Sequence, residues 1–207
     1  MKKDVKKIRA ILLAAGITVI LALSAFLIWR FFFYEKDVTS GGDYIHYAPA
    51  DYDKDILSDQ VYLSYNRDLI YGTCDLEQAY SYEEDYEIAT PECKFFLDYF
   101  KTVISGDYEN LPKFHVDGFF KTSPKFTMQM IYEPYVIFRN TSVEGEGESE
   151  ITLYEFYVEY KIAQNNGTFR TGVRSHAAVP QIYQLIKNQD DAYQIYRILD
   201  VQYVNDD

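Results

Sequence analysis

The side chains with most chemistry to offer fall in two places. His115 and Asp117 stand two residues apart in "KFHVDGFF". A carboxylate beside a buried imidazole works as an acid/base pair when burial and the neighbouring charge move both groups toward neutral pH, although this spacing carries no mechanism of its own. The second place is "SEITLYEFYVEYKIAQNNGTFRTGVRSH", Ser149 to His176, which brings Tyr157, Glu159, Arg170, Arg174 and His176 into one stretch. These five are the candidate ligand or partner face. If they lie on the outside of a sheet they form a solvated ion-pair ladder, worth little in stability. If curvature turns them inward they line a basic, tyrosine-rich pocket for an anionic ligand. The solvated or partner-facing reading is preferred, because the opposite face carries the apolar stripe Tyr154, Phe156, Val158, Tyr160 and Ile162, which a helix must cover.

No residue is assigned a catalytic role. The chain contains no G-x-S-x-G, H-E-x-x-H, C-x-x-C or phosphate-loop glycine pattern, so nucleophilic, zinc and nucleotide chemistries lack their usual signals, and no metal or cofactor is expected. Cys74 and Cys93 are the only cysteines. A disulfide between them would restrict the unfolded chain by about 3 kcal/mol; two small buried thiols are the alternative, and both stay open.

The elements that must position these residues are legible to different degrees. In "TPECKFFLDYFKTVISGDY" Thr90 can cap a helix, Pro91 suits its first position and Glu92 its positive end. Phe96, Tyr99, Phe100 and Val103 follow at helical spacing, and Gly106 supplies a stop. A shorter helix is expected in "YENLPKFHVDGFF", broken around Pro112. From Phe126 onward the chain reads as strands: "FTMQMIYEPYVIFRN", a Gly/Glu loop "TSVEGEGESE", then period-two alternation from Tyr154 to Ile162. Asn166-Gly167 is a strong hairpin signal. A turn there sets Ile162 opposite Thr171, Tyr160 opposite Val173, Glu159 opposite Arg174 and Tyr157 opposite His176. Two further strands, "PQIYQLIK" and "AYQIYRILDVQYV", are joined by "NQDD". Helices followed by an antiparallel meander predict an α+β class. Residues 51–90, rich in Tyr and acid, support neither period.

The N-terminus differs in kind. "MKKDVKKIR" carries five basic residues against one Asp, and Ala10 to Trp29 contain no charge. That run matches the roughly 30 Å apolar core of a bilayer. Trp29 and Phe31 to Tyr34 stand where an aromatic belt would sit, and the basic cluster predicts a cytoplasmic N-terminus. Cleavage after Ala22-Leu23-Ser24 is the competing reading, but it would leave "AFLIWRFFFY" as an apolar mature N-terminus. The expected organisation is therefore a cytoplasmic basic tail (1–9), a transmembrane anchor (10–34), a linker (35–55) and one extracytoplasmic domain (56–207). Residues 37–207 hold 13 Lys/Arg against 30 Asp/Glu, a net charge of −17. Such a domain is repelled by phosphate backbones, so nucleic acid is an unfavourable partner.

The helix "ECKFFLDYFKTVISGDYENL", the stretch "YEFYVEYKIAQNNGTFRTGV" and the last strand "YQIYRILDV" together resemble the nuclear transport factor 2-like (cystatin-like) superfamily. The resemblance covers roughly residues 91–204 through loose motifs. It implies N-terminal helices packed on a strongly curved antiparallel sheet. An anchor followed by such a domain is similar to assembly components of bacterial conjugation and type IV secretion systems, and to small anchored proteins of Gram-positive bacteria. Enzymes of the superfamily use an Asp, His or Tyr inside the cone of the sheet, but no invariant motif can be carried onto this chain.

The expected function is a membrane-anchored binding or scaffold module in an envelope, secretion or conjugation complex, with a protein partner docking on the acidic, Tyr-rich residues 44–90. The alternative is a small-molecule binder or isomerase-like enzyme using the sheet pocket. A cavity of several hundred Å³ with His176 or Asp117 inside would favour the alternative.

Overall fold

The computed structural model describes residues 44–73 and 75–201. The basic tail, the anchor and residues 35–43 of the linker lie outside the described residues, as does Cys74. Among the described residues no helix is long and apolar enough to cross a membrane.

The architecture is α+β, built on one six-stranded mixed sheet. In chain order the elements are a one-turn helix α1 (Gln60–Leu63), β1 (Leu69–Thr73), β2 (Leu76–Tyr80), the long helix α2 (Pro91–Ile104), β3 (Ile131–Glu144), β4 (Ile151–Ile162), β5 (Gln181–Lys187) and β6 (Tyr193–Asp200). The strand order is β2-β1-β3-β4-β5-β6. β3 to β6 form the expected antiparallel meander, whereas β1 runs parallel to β3, with Ile70 opposite Tyr135 and Gly72 opposite Ile137. Residues 51–90 thus supply a hairpin that extends the sheet.

Helix α2 begins and ends as its sequence dictates. Thr90 Oγ1 accepts the Cys93 N–H at 3.3 Å, and Pro91 occupies the first turn, where no intrahelical donor is needed. At the other end Gly106, at φ 70°, donates to Val103 O at 3.1 Å while Asp107 donates to Thr102 O at 3.0 Å. That double closure satisfies carbonyls the helix leaves open. A Cβ on Gly106 would stand 2.7 Å from the Met128 backbone nitrogen. Gly118 has a similar φ of 79° with nothing within 4 Å of such a Cβ. Both substitutions to alanine carry the left-handed strain, about 1–2 kcal/mol, but only Gly106→Ala also drives into backbone. Gly106→Ala is expected to lower stability by about 1–3 kcal/mol more than Gly118→Ala; equal losses in denaturant unfolding would refute the close approach.

The apolar stripe of β4 meets α2 as anticipated. Phe96 packs edge-on against Phe156 at 5.1 Å between ring centroids, and Phe100 against Tyr160 at 5.4 Å. Val136 of β3 pairs with Val158, and Leu185 of β5 with Tyr154, so the inner face is apolar across the strands. Each fully buried side chain of this size contributes about 1.5–3 kcal/mol. Register shifts interrupt β3 between Tyr132 and Tyr135 and between Phe138 and Asn140, and the β5/β6 pairing between Gln184 and Leu185. Pro134 explains the first: it cannot donate to a ladder, and Glu133 before it takes φ 50°.

Three expectations are corrected. Residues 141–144, read as loop, continue β3 and pair with Ile151–Tyr154; they are exposed, so no burial period marks them. The helix expected around Pro112 is a 3-10 turn, Leu111–Phe114. The hairpin at Asn166-Gly167 does not form: β4 ends at Ile162, its next neighbour is Gln181–Lys187, and residues 163–180 make a loop. The cause is Asn165. Its buried side chain donates to Arg170 O at 3.0 Å and Val173 O at 2.8 Å and accepts from Gly167 N–H at 3.0 Å. Those backbone groups are the ones a ladder would have used. Tyr47, from the stretch read as linker, closes the loop from outside, its hydroxyl accepting the Gly172 N–H at 2.7 Å, and Ala48 N–H donates to Asn165 O at 2.9 Å.

Candidate functional site

The loop that replaces the hairpin folds over the inner face of the sheet. Between it, Tyr99 of α2 and residues 111–126 lies a cavity of about 620 Å³. Tyr160 and Tyr183 of the sheet and the rings of Phe119, Phe120, Phe126 and Phe169 line it beside polar groups such as Lys125, Gln181 and Asp200, and Arg170 enters from the loop.

Arg170 is 8 % exposed and is the only charged side chain, apart from histidine, among the buried residues described. Its guanidinium lies 5.0 Å above the Tyr160 ring, and Nη2 donates to Val179 O. Nη1 is buried without a hydrogen-bond partner. Arg170 forms no ion pair among the described residues. A guanidinium keeps its charge in any protein setting, and burying a charge without a counter-ion costs several kcal/mol. The stacking and the one carbonyl offset part of that cost.

Below it, the hydroxyls of Tyr99 and Tyr183 are 3.4 Å apart. Burial is the main cause that pushes the phenols of Tyr99, Tyr160 and Tyr183 above their ordinary range. All three therefore remain protonated at neutral pH and can donate.

His115 is also at the cavity, 3 % exposed, with the rings of Phe119 and Phe120 at 4.4 and 4.6 Å. Burial pulls its imidazole down to about 4, against a weaker upward pull from the hydrogen bond to Leu111 O. Since a carbonyl only accepts, Nδ1 carries the proton of that 3.0 Å bond. The backbone around it is pinned to β6: Val116 N–H donates to Ile195 O at 3.1 Å, and Gln194 Nε2 to His115 O at 3.2 Å.

The acid/base pair read from the sequence is not assembled, because Asp117 is exposed while His115 is buried. The candidate face is likewise divided. Tyr157 and Glu159 share the outer side of β4, joined by a 2.6 Å hydrogen bond from the tyrosine hydroxyl. Glu159 is opposite Tyr135 and Tyr157 opposite Ile137 and Ile182, rather than Arg174 and His176. Arg170 turns to the inner side. His176, at φ 63°, holds Nδ1 2.9 Å from the Tyr132 hydroxyl and lies away from the cavity, and Arg174 is exposed. The outer charge ladder does exist, with other members: Arg139 meets Glu155 at 3.5 Å, Gln184 donates to Glu155 at 3.0 Å, and Arg197 bridges Gln184 to Glu144.

Cys93 is a buried free thiol, pushed up to about 12 first by burial and then by Glu92; Cys74, the other member of the disulfide left open from the sequence, lies outside the described residues. No three-residue group of His, Cys, Asp and Glu suited to a metal occurs among the described residues. The sequence offered a sheet pocket lined by Tyr157, Glu159, Arg170, Arg174 and His176; of these only Arg170 lines the cavity, which lies on the opposite face. The available signal was the Asn165-Asn166 doublet, two side chains able to capture backbone groups and so to favour a loop.

Comparison with protein-family models, with curated proteins and with solved structures returned no match.

Proposed function

We propose that the chain is a membrane-tethered domain that binds a small molecule, part apolar and part polar, in the cavity between α2 and the sheet. The single observation that carries the reading is the space of about 620 Å³ in which Tyr and Phe rings stand beside polar groups, within the size range of small-molecule sites. Binding is favoured over catalysis: the cavity offers hydrogen-bond donors and a histidine held neutral by burial, and Asp200, its one carboxylate, is exposed and accepts from Gln181 Nε2 at 3.3 Å. The tether is residues 10–34, with the domain outside the cytoplasmic membrane. A nuclear transport factor 2-like fold is supported by one long helix on the inner face of a meander whose register shifts bend its strands.

Calorimetry with the full-length chain in nanodiscs, corrected against empty discs, tests this with 2-naphthoate and its neutral amide as probes. Val179 lines the cavity and is 37 % exposed, so Val179→Trp fills the space without disturbing the core. The wild type is expected to bind at least one probe and the variant neither. Failure of both probes on the wild type, or equal binding by the variant, would overturn the reading.

A second reading, docking of a protein within an envelope, secretion or conjugation complex, is supported by β2. It is an edge strand in which Leu76 is 74 % exposed, and an open edge can accept another strand.

A further inference from the structure

We infer that the cavity selects a small organic monoanion, a carboxylate on an aromatic or alicyclic body, with Arg170 as its anchor. The inference rests on the cavity-binding reading above and adds the chemical class of the ligand.

Three observations point the same way. First, Arg170 lines the cavity, and its guanidinium is a buried cation that keeps one donor, Nη1, without a hydrogen-bond partner. Long basic side chains usually escape burial by extending their heads into water. Arg170 cannot, because Asn165 grips its carbonyl, Val179 O takes Nη2 and the Tyr160 ring lies beneath it. Second, the groups beside the guanidinium are neutral, Val179 O and the Tyr160 phenol, and no carboxylate among the described residues pairs with it, so the site gains a charge-assisted hydrogen bond only when an anion arrives. Third, the hydroxyls of Tyr99, Tyr160 and Tyr183, linked to one another beside the guanidinium, stay protonated, and Phe119, Phe120, Phe126 and Phe169 offer apolar wall to a ring.

Arg170 and Lys125 are the two charged cations of the lining and Asp200 its one carboxylate, a net of one positive charge that matches a monoanion. The only other basic side chain that is charged here, Lys125, lies over the Tyr52 ring at 5.1 Å, and burial keeps His115 neutral at pH 7.

The test compares 2-naphthoate with 2-naphthamide on the full-length chain in nanodiscs. Wild-type protein is expected to bind the carboxylate at least tenfold more tightly than the amide. Arg170→Gln should bring the ratio to about one, and Lys125→Gln should lower it less. Equal wild-type affinities would overturn the carboxylate assignment while leaving the cavity reading intact. No binding of either probe would end both. A ratio lost in Lys125→Gln but kept in Arg170→Gln would remove Arg170 as the anchor. Should Arg170→Gln fail to fold, Arg170→Lys, which keeps the charge without the planar fork, is expected to retain a reduced preference, and the wild-type ratio alone still decides the class.

Discussion

Phe96→Ala is expected to lower the unfolding free energy by about 3–5 kcal/mol, the range for truncating a fully buried phenylalanine. Phe96 is fully buried at the centre of α2's inner face. Its ring contacts Phe156 of β4 at 5.1 Å, Tyr183 of β5 at 6.2 Å and Phe95 at 5.2 Å. Truncation removes the transfer energy of the ring and leaves a void between helix and sheet that neither can close without breaking its own hydrogen bonds. Urea unfolding followed by circular dichroism measures the loss. Phe96→Leu, which fills most of the volume, should cost less than half as much. A loss below about 1 kcal/mol for Phe96→Ala would mean that α2 does not seat on β4 and β5 through this ring.

Acidification is expected to weaken the fold through His115. In the unfolded chain an imidazole takes up its proton near pH 6.5, whereas in the folded domain burial among Phe119, Phe120 and Tyr99 holds it down to about 4. Between those two values the unfolded state binds the extra proton. Stability therefore falls as pH drops through that window and is unaffected by this group above about pH 7. At 1.36 kcal/mol per pH unit the loss by pH 4 is about 3 kcal/mol. His115→Gln lacks the titration, so the wild-type advantage over the variant should shrink by that amount between pH 7 and pH 4, isolating His115 from His46 and His176. Parallel stability curves for the two proteins would show that the imidazole is not sequestered.

These two residues also mark how far local sequence reaches. Phe96 belongs to a helix whose start, face and stop are written in adjacent positions: Thr90 and Pro91 at one end, Gly106 at the other, and a stripe that repeats with the helical turn. His115 stands out in the sequence as well, but with Asp117 as its companion. Its actual companions, Phe119, Phe120 and Tyr99, are set by a 3-10 turn and by attachment of residues 115–116 to β6, about 80 positions away. Nothing in the spacing of His115 and Asp117 encodes that one is buried and the other exposed.

The sequence by itself determined the α+β class, the helix over Pro91–Ile104, the inner stripe of β4 and the two closing strands. Each depends on contacts within an element or on a periodicity that burial imposes directly. Tertiary structure alone decided the parallel pairing of β1 with β3, because strands so far apart in sequence share no turn to set their register. It also decided the fate of Asn166-Gly167. A hairpin and a loop compete for the same backbone groups there, and the buried amide of Asn165 captures them for the loop, which turns Arg170 from an outer ladder into an inner cavity.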